Sequence, residues 1–339
     1  MVETITYSKS VKMDDIVYID TRSPGEFEID HIPGSINVAI LDNDERKLVG
    51  TMYKQVSQNQ AIEKGLEIYE KKIEEIKKTL SDATNGNNKT LVIYCWRGGM
   101  RSKTITKLAT KDGIKCFQLK EGYKKYREYI RINLHDFKLK SKLVVLHGLT
   151  GSGKTDLLVK FKDMIDLEGM AAHRSSLFGS IGLTPNTQKR FETLLFEKLN
   201  SLNGKENILI EGESRKIGNI IMPEFLHKAM KKGINVKVDC KFESRVGRLV
   251  DIYTSNNADI NKTKEITKTL TKKLGKKIVS EMIESLEKNE LDKFMKIILE
   301  KYYDPLYKYS IEDLKYDLDV NSDDMNEAVE KINEKYKIQ

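Results

Sequence analysis

The eight residues Gly148-Leu149-Thr150-Gly151-Ser152-Gly153-Lys154-Thr155 constrain this chain more than any others. They fit G-x-x-x-x-G-K-[ST] and come directly after the apolar run Leu143-Val144-Val145-Leu146, which reads as a buried strand. A loop of this kind leaves a strand, wraps backbone N–H groups around a diphosphate and opens a helix. Gly148, Gly151 and Gly153 permit the wrap, Ser152 lies within it, Lys154 adds charge, and Thr155 offers an oxygen to Mg2+. Further strands are expected at 207–210 and 234–239 with helices between them, so this half of the chain reads as a second α/β layer structure. From about Thr263 onward the pattern is helical and highly charged.

At 339 residues the chain exceeds one ordinary core, and two domains are expected, 1–138 and 139–339. In the first, residues 17–22, 91–94 and 115–119 read as strands, and Ser23-Pro24-Gly25 as a turn. Residues 61–80 place Ile62, Leu66, Ile68, Tyr69, Ile73, Ile76 and Leu80 mostly at helical spacing, as an amphipathic helix does, and 102–112 form another helix closed by Gly113. This β/α alternation predicts a mainly parallel sheet. The basic segment 120–142 intersperses Tyr123, Tyr126 and Tyr129 among Lys and Arg, and the boundary is placed near its end.

No apolar run approaches the roughly 18 residues of a membrane helix, and Met1-Val2-Glu3-Thr4 begins no signal peptide, so a cytoplasmic protein without a membrane partner is expected. Cys95, Cys116 and Cys240 are too far apart for a zinc cluster and too few to pair completely. A net charge of +8 favours a polyanionic partner, although a Lys-rich solvated surface gives the same number.

Cys95 ends a buried strand and is followed by Trp96-Arg97-Gly98-Gly99-Met100-Arg101, with Ser102 as the expected N-cap of the next helix. A thiol there feels the positive end of the helix dipole, Arg97 and Arg101 add cationic field, and Gly98 and Gly99 can curl into a nest of N–H donors. A catalytic thiolate is expected rather than an inert core cysteine. The five residues between Cys95 and Arg101 also fit the C-x5-R spacing of cysteine phosphatases, and a loop of that size suits a tetrahedral oxyanion.

Around the phosphate loop, 208–210 leads to Glu211-Gly212-Glu213-Ser214-Arg215-Lys216, which places acids where a second strand would direct a carboxylate to a metal. One of these carboxylates could instead pair with Arg215. His173-Arg174-Ser175-Ser176 and the helical i,i+3 pair Arg245 and Arg248 are candidate phosphate clamps. The candidate ligand-binding set is therefore Gly148, Gly151, Ser152, Gly153, Lys154, Thr155, Glu213, Arg215, His173, Arg174, Arg245 and Arg248.

The runs Ile19-Asp20-Thr21-Arg22-Ser23-Pro24-Gly25-Glu26-Phe27 and His31-Ile32-Pro33-Gly34-Ser35-Ile36-Asn37, with the strand–Cys95–loop–helix unit, resemble rhodanese domains. That likeness implies a parallel α/β sheet and a cysteine that carries sulfur or selenium as a persulfide-type adduct. With the phosphate loop following, and with Gly50-Thr51-Met52-Tyr53, Glu213-Ser214-Arg215-Lys216-Ile217-Gly218 and Tyr302-Tyr303-Asp304-Pro305-Leu306-Tyr307, nearly the whole chain resembles the tRNA 2-selenouridine synthase family. One departure is Ser175, where that family usually has glycine.

The resemblance implies replacement of sulfur by selenium in 2-thiouridine at the tRNA wobble position, with selenophosphate and geranyl diphosphate as co-substrates and an S-geranylated intermediate. It implies catalytic Cys95, Arg97 and Arg101, a tRNA partner, and a selenophosphate-producing enzyme as a further partner. The segment 120–142 and a Lys-rich helix over 262–277 are the expected RNA surfaces, tyrosines stacking on bases and cations on phosphates. Competing readings are an ATP-dependent sulfurtransferase acting on RNA, a rhodanese-like phosphatase or kinase fusion, and a non-enzymatic docking module.

Overall fold

The computed structural model describes residues 2–86, 88–255 and 259–339. The chain divides into two compact units, Met1–Asp136 and Phe137–Gln339.

Unit 1 is built on a parallel sheet of β1 (Thr4–Ile5), β2 (Ile16–Asp20), β3 (Ile36–Asn37), β4 (Thr90–Tyr94) and β5 (Cys116–Leu119), in the spatial order β1-β5-β4-β2-β3. Every residue of β4 is buried, as expected of a central parallel strand covered by helices on both faces. Helix Gln58–Ala83 lays Ile68, Ile76 and Leu80 onto Ile19, Leu91 and Ile93, and helix Met100–Lys111 adds Ile105 and Leu108 to the same core. Thirteen residues, Asn43–Gln55, form a further helix, capped by Asp42 with Glu45 reciprocating.

Unit 2 carries β6 (Lys142–His147), β7 (Met164–Ile165), β8 (Asn207–Glu211), the antiparallel hairpin β9 (Lys216–Ile217) and β10 (Ile220–Ile221), β11 (Ile234–Asp239) and β12 (Leu318–Asn321). Its parallel sheet has the order β12-β11-β6-β8-β7. The chain leaves β6 toward β7 and β8 on one side and later adds β11 and β12 on the other, so the carboxyl end of β6 is a topological switch point, where α/β sheets bind ligands. Val144, Leu146, Leu209, Val236 and Val320 pack against Ala328, Ile332 and Tyr336 of helix Met325–Tyr336. A separate helical cluster gathers Val246, Leu270, Val279, Met282, Phe294, Ile298 and Tyr303.

Several expectations need correction. The charged C-terminal region is not wholly helical, because Leu318–Asn321 joins the sheet as β12. The Lys-rich segment 262–277 is not one helix. It belongs to three, Ile260–Thr269, Thr271–Leu274 and Lys276–Glu287, broken at Leu270 and Gly275. Helix Met100–Lys111 starts two residues before Ser102, with Gly99 at its N-cap, so the Ser102 hydroxyl is released from capping. Tyr123 and Tyr126 do not face solvent: they lie on the inner side of helix Gly122–His135, and Tyr129 meets Tyr7 edge to ring. Their spacing of three is that of an amphipathic helix's core stripe, so Tyr123 and Tyr126 cannot stack on bases, while Tyr129 is half-buried.

Candidate active site

In unit 1, β4 delivers Cys95 to the carboxyl end of the sheet, and the loop after it folds over the sulfur. Gly99 N–H donates to Cys95 Sγ at 3.2 Å, and Ser102 Oγ lies 3.3 Å from it. Gln118 Nε2 donates to Ser102 Oγ (2.8 Å), Gly98 O (2.9 Å) and Gly99 O (3.2 Å), so β5 fixes the curl of the loop. Gly122 closes the other side with φ +56°: a Cβ there would fall 2.2 Å from Cys95 O and 2.6 Å from Gly98 N. One backbone N–H, that of Gly99, and one hydroxyl, that of Ser102, converge on the sulfur.

The two arginines separate. Arg97 is exposed and makes no ion pair among the described residues. Arg101 Nη1 pairs with Glu26 Oε2 at 2.8 Å, which Arg46 also approaches at 3.5 Å. Burial pushes the Glu26 carboxyl upward, but Arg101, the Ser23 backbone and Arg46 outweigh it and hold Glu26 below its ordinary value. Glu26 also completes the Ser23 capping box of helix Pro24–Ile29, so one carboxylate orients both the helix start and Arg101.

Beneath them Arg22 is fully buried, paired with Asp20, donating to Asp30 O at 2.7 Å and stacked 3.8 Å over the Tyr123 ring. The most conspicuous part of the rhodanese-like signature thus serves as scaffold. Cys95 also lines a cavity of about 770 Å3 whose walls include Ile40, Leu41, Val49, Leu66, Trp96 and Met100, a feature the sequence did not announce.

In unit 2 the phosphate loop joins β6 to helix Lys154–Leu158, which is only five residues long. So short a helix carries little macrodipole, so an anion held there would rely mainly on backbone N–H groups. Lys154 Nζ donates to Gly148 O (2.7 Å) and Leu149 O (3.3 Å) across the loop. Arg245 and Arg248 brace it from behind. Arg245 Nε donates to Thr150 O (2.8 Å), with its two terminal nitrogens on Asp304. Arg248 reaches Gly151 O (3.2 Å) and Ser322 O (2.7 Å). Their guanidinium groups meet loop carbonyls, so they act on the shape of the loop.

Three carboxylates face the Lys154 side. Glu211, at the end of β8, accepts from Glu168 N–H at 2.7 Å and lies 3.5 Å from Thr155 Oγ1. Burial, then the Glu213 charge, pushes Glu168 up to about 8, against the pull of Lys154 and Arg174. Burial also raises Glu213, and burial with the Glu168 and Asp166 charges raises Glu211. Among the described residues neither Glu211 nor Glu213 pairs with Arg215, whose Nε approaches Met222 O at 3.5 Å. Sequence reasoning missed Glu168, which carries no motif and follows a two-residue strand. No group of three or more metal-ligating His, Cys, Asp or Glu side chains is present among the described residues. Thr155 and Glu211 nonetheless offer two oxygens, which suits an Mg2+ whose remaining ligands are waters and phosphate oxygens.

Of the other quoted runs, Gly50, Thr51 and Tyr53 line the Cys95 cavity of unit 1, while residues 173–176, 213–218 and 302–307 lie together in unit 2. His173 is sandwiched by glycine backbone: a Cβ on Gly218 (φ +56°) would fall 2.7 Å from its ring. Burial lowers the His173 pKa, with Arg174 adding to the effect. Arg174 Nη1 donates to Ile181 O at 3.0 Å, while Tyr303 meets the Ser176 side chain and Tyr307 is raised by burial and by Glu213. Ser175 is not in the left-handed region; that conformation falls on Ala172 (φ 48°), so the serine needs no glycine backbone.

Comparison with known proteins agrees with this architecture. Residues 6–129 match the rhodanese-like domain model, and residues 141–338 match the model of the tRNA 2-selenouridine synthase AAA domain. A tRNA 2-selenouridine synthase of Shewanella piezotolerans is 30% identical over 340 residues, covering 92% of this chain and 93% of the relative. One from Sulfurovum sp. is 30% identical, covering 90% and 91%. One from Pseudomonas syringae pv. tomato is 35% identical, covering 73% and 68%. No described helix is long and apolar enough to cross a membrane. With its two domain models in this order and relatives aligned along nearly its full length, the chain belongs to the tRNA 2-selenouridine synthase family of enzymes.

Proposed function

We propose that this enzyme replaces the sulfur of wobble 2-thiouridine in tRNA by selenium, in two steps divided between its units. The observation that carries this reading is Cys95, held at the carboxyl end of β4 with Gly99 N–H and Ser102 Oγ on its sulfur, in a chain of this family. In the first step the thiocarbonyl sulfur attacks C1 of geranyl diphosphate, an S–C bond forms, and diphosphate leaves with the bonding electrons. The loop 148–155 and Lys154 take up the negative charge that develops on the leaving group, and an Mg2+ held by Thr155 would add to that neutralisation.

Alkylation makes C2 of the base electrophilic and its sulfur a leaving group. In the second step selenium from selenophosphate bonds to C2, geranylthiolate departs and is protonated by water, and hydrolysis of the Se–P bond releases phosphate. Selenium is handled at Cys95, with Arg97 and Arg101 supplying positive charge around the anionic donor. Selenophosphate is supplied by a separate enzyme.

Nucleoside mass spectrometry on tRNA treated with the purified enzyme tests the division. Cys95→Ser should abolish selenouridine and leave S-geranyl-2-thiouridine to accumulate. Lys154→Ala should lower geranylation about ten- to a hundredfold, the loss of one charge-assisted contact. Equal loss of both products in Cys95→Ser would overturn the assignment.

A further inference from the structure

The cavity beside Cys95 is out of scale with selenium chemistry alone. At about 770 Å3 it falls in the range of sites that enclose ligands of drug size, whereas selenophosphate is a compact anion. Its walls are also the wrong kind for an anion. Val49 and Tyr53 lie one turn apart on helix Asn43–Gln55, and Ile62, Leu66 and Tyr69 recur at helical spacing on Gln58–Ala83, so two helices turn apolar faces toward the same space.

These side chains are not spare core. Tyr53 is 49% exposed, Leu66 42%, Trp96 36% and Met100 53%, an unusual gathering of large apolar groups left open to solvent around one cavity. Arg46, Lys47, Lys54, Arg97 and Arg101 lie among the same lining residues. An apolar hollow with a cationic margin and a thiol in its wall fits a hydrocarbon chain attached to a polyanion.

We propose that this cavity is the hydrocarbon subsite of the enzyme: it takes the isoprenoid chain carried on the nucleoside sulfur, so that the alkylated base is presented at Cys95 with its RNA phosphates against the arginines and lysines. The inference rests on the geranyl route proposed above and deepens it. The phosphate loop of unit 2 then holds the diphosphate of the donor, while the chain of the alkylated RNA is recognised in unit 1. Recognition should depend on chain length, because each buried methylene contributes roughly a fourfold gain in affinity.

Trp96 is the only tryptophan in the sequence, so its fluorescence reports on this wall alone. Full-length enzyme is titrated with geraniol and with the five-carbon prenol, and the variant Leu66→Glu is titrated after circular dichroism has confirmed its fold. Saturable change in Trp96 emission with geraniol, at least a hundredfold tighter than with prenol, and weakened at least tenfold by Leu66→Glu, is the expected result. A flat geraniol titration, or equal affinity for the two alcohols in the wild type, overturns the proposal even if the variant does not fold.

A parallel assay offers the same wild-type enzyme S-geranyl-2-thiouridine RNA and selenophosphate. Conversion to selenouridine without geraniol binding removes the cavity assignment and leaves the geranyl route standing. Geraniol binding without conversion removes the geranyl route as the reaction of this enzyme and leaves the cavity a hydrocarbon site.

Discussion

Gln118 Nε2 donates to Ser102 Oγ at 2.8 Å, and this fixes what Ser102 can offer Cys95. With one lone pair of the hydroxyl occupied, its proton points either at Cys95 Sγ or at Gly99 O, each 3.3 Å away. Ionisation of the sulfur favours the first. Ser102→Ala and Gln118→Leu should both slow alkylation of Cys95 by iodoacetamide at neutral pH, about five- to tenfold for the serine variant, the net value of one ordinary hydrogen bond. Peptide mass spectrometry separates Cys95 from the half-buried Cys116 and Cys240.

Gly122 is the tightest point of the Cys95 loop. It follows Glu121, itself left-handed at φ 59°, and both Tyr123 N–H to Cys95 O and Lys124 N–H to Trp96 O depend on that turn. Gly122→Ala would drive a methyl into Cys95 O and Gly98 N. A loss of about 3 kcal/mol is expected, at the upper end for backbone strain, and chemical denaturation should show it together with faster, unselective modification of Cys95.

Arg245 is buried and joins Thr150 O of the phosphate loop to Asp304. Arg245→Ala should destabilise the enzyme by about 3–5 kcal/mol, because Asp304 loses its charged partner and a loop carbonyl its donor. Arg245→Lys should recover only part of that, since an ammonium cannot reproduce the fork geometry. Thermal unfolding monitored for both variants, beside their diphosphate affinity, gives the check.

The carboxylates near Lys154 predict a pH dependence of definite sign. Burial, then Glu213, lifts Glu168 from its usual 4.5 to about 8, so the folded chain holds a proton that the unfolded chain has released. Stability from this source is complete below the unfolded value, and is lost as the pH rises through the folded one. The urea midpoint should therefore fall between about pH 5 and pH 8.5, and Glu168→Gln, which keeps a neutral polar group in place, should flatten that fall. A wild-type midpoint that rises across the interval would reverse the assignment.

How much of this was legible in the sequence depends on the length of the element. Runs such as Leu91-Val92-Ile93-Tyr94 and Leu143-Val144-Val145-Leu146 are apolar at consecutive positions because both faces of a central parallel strand are buried, and that pattern needs no knowledge of neighbours. The loops after them, with Cys95 and with Lys154, follow from local glycine and charge chemistry. Thr4–Ile5, Ile36–Asn37 and Met164–Ile165 could not be found this way: two residues carry no periodicity, and each is a strand only because a remote strand supplies its hydrogen bonds.

The same division runs through the sites. The chain by itself pointed to two units, two glycine-rich loops and the residues at their tips, because each loop is encoded within about ten consecutive positions. Only the tertiary structure turned Tyr123 inward onto Arg22, brought Gln118 to Ser102, set Glu168 beside Glu211, and hollowed the apolar cavity against Cys95. Those relationships join side chains 16 or more residues apart, and no local pattern encodes them. They arise from the order in which strands pair and from which face each helix must bury.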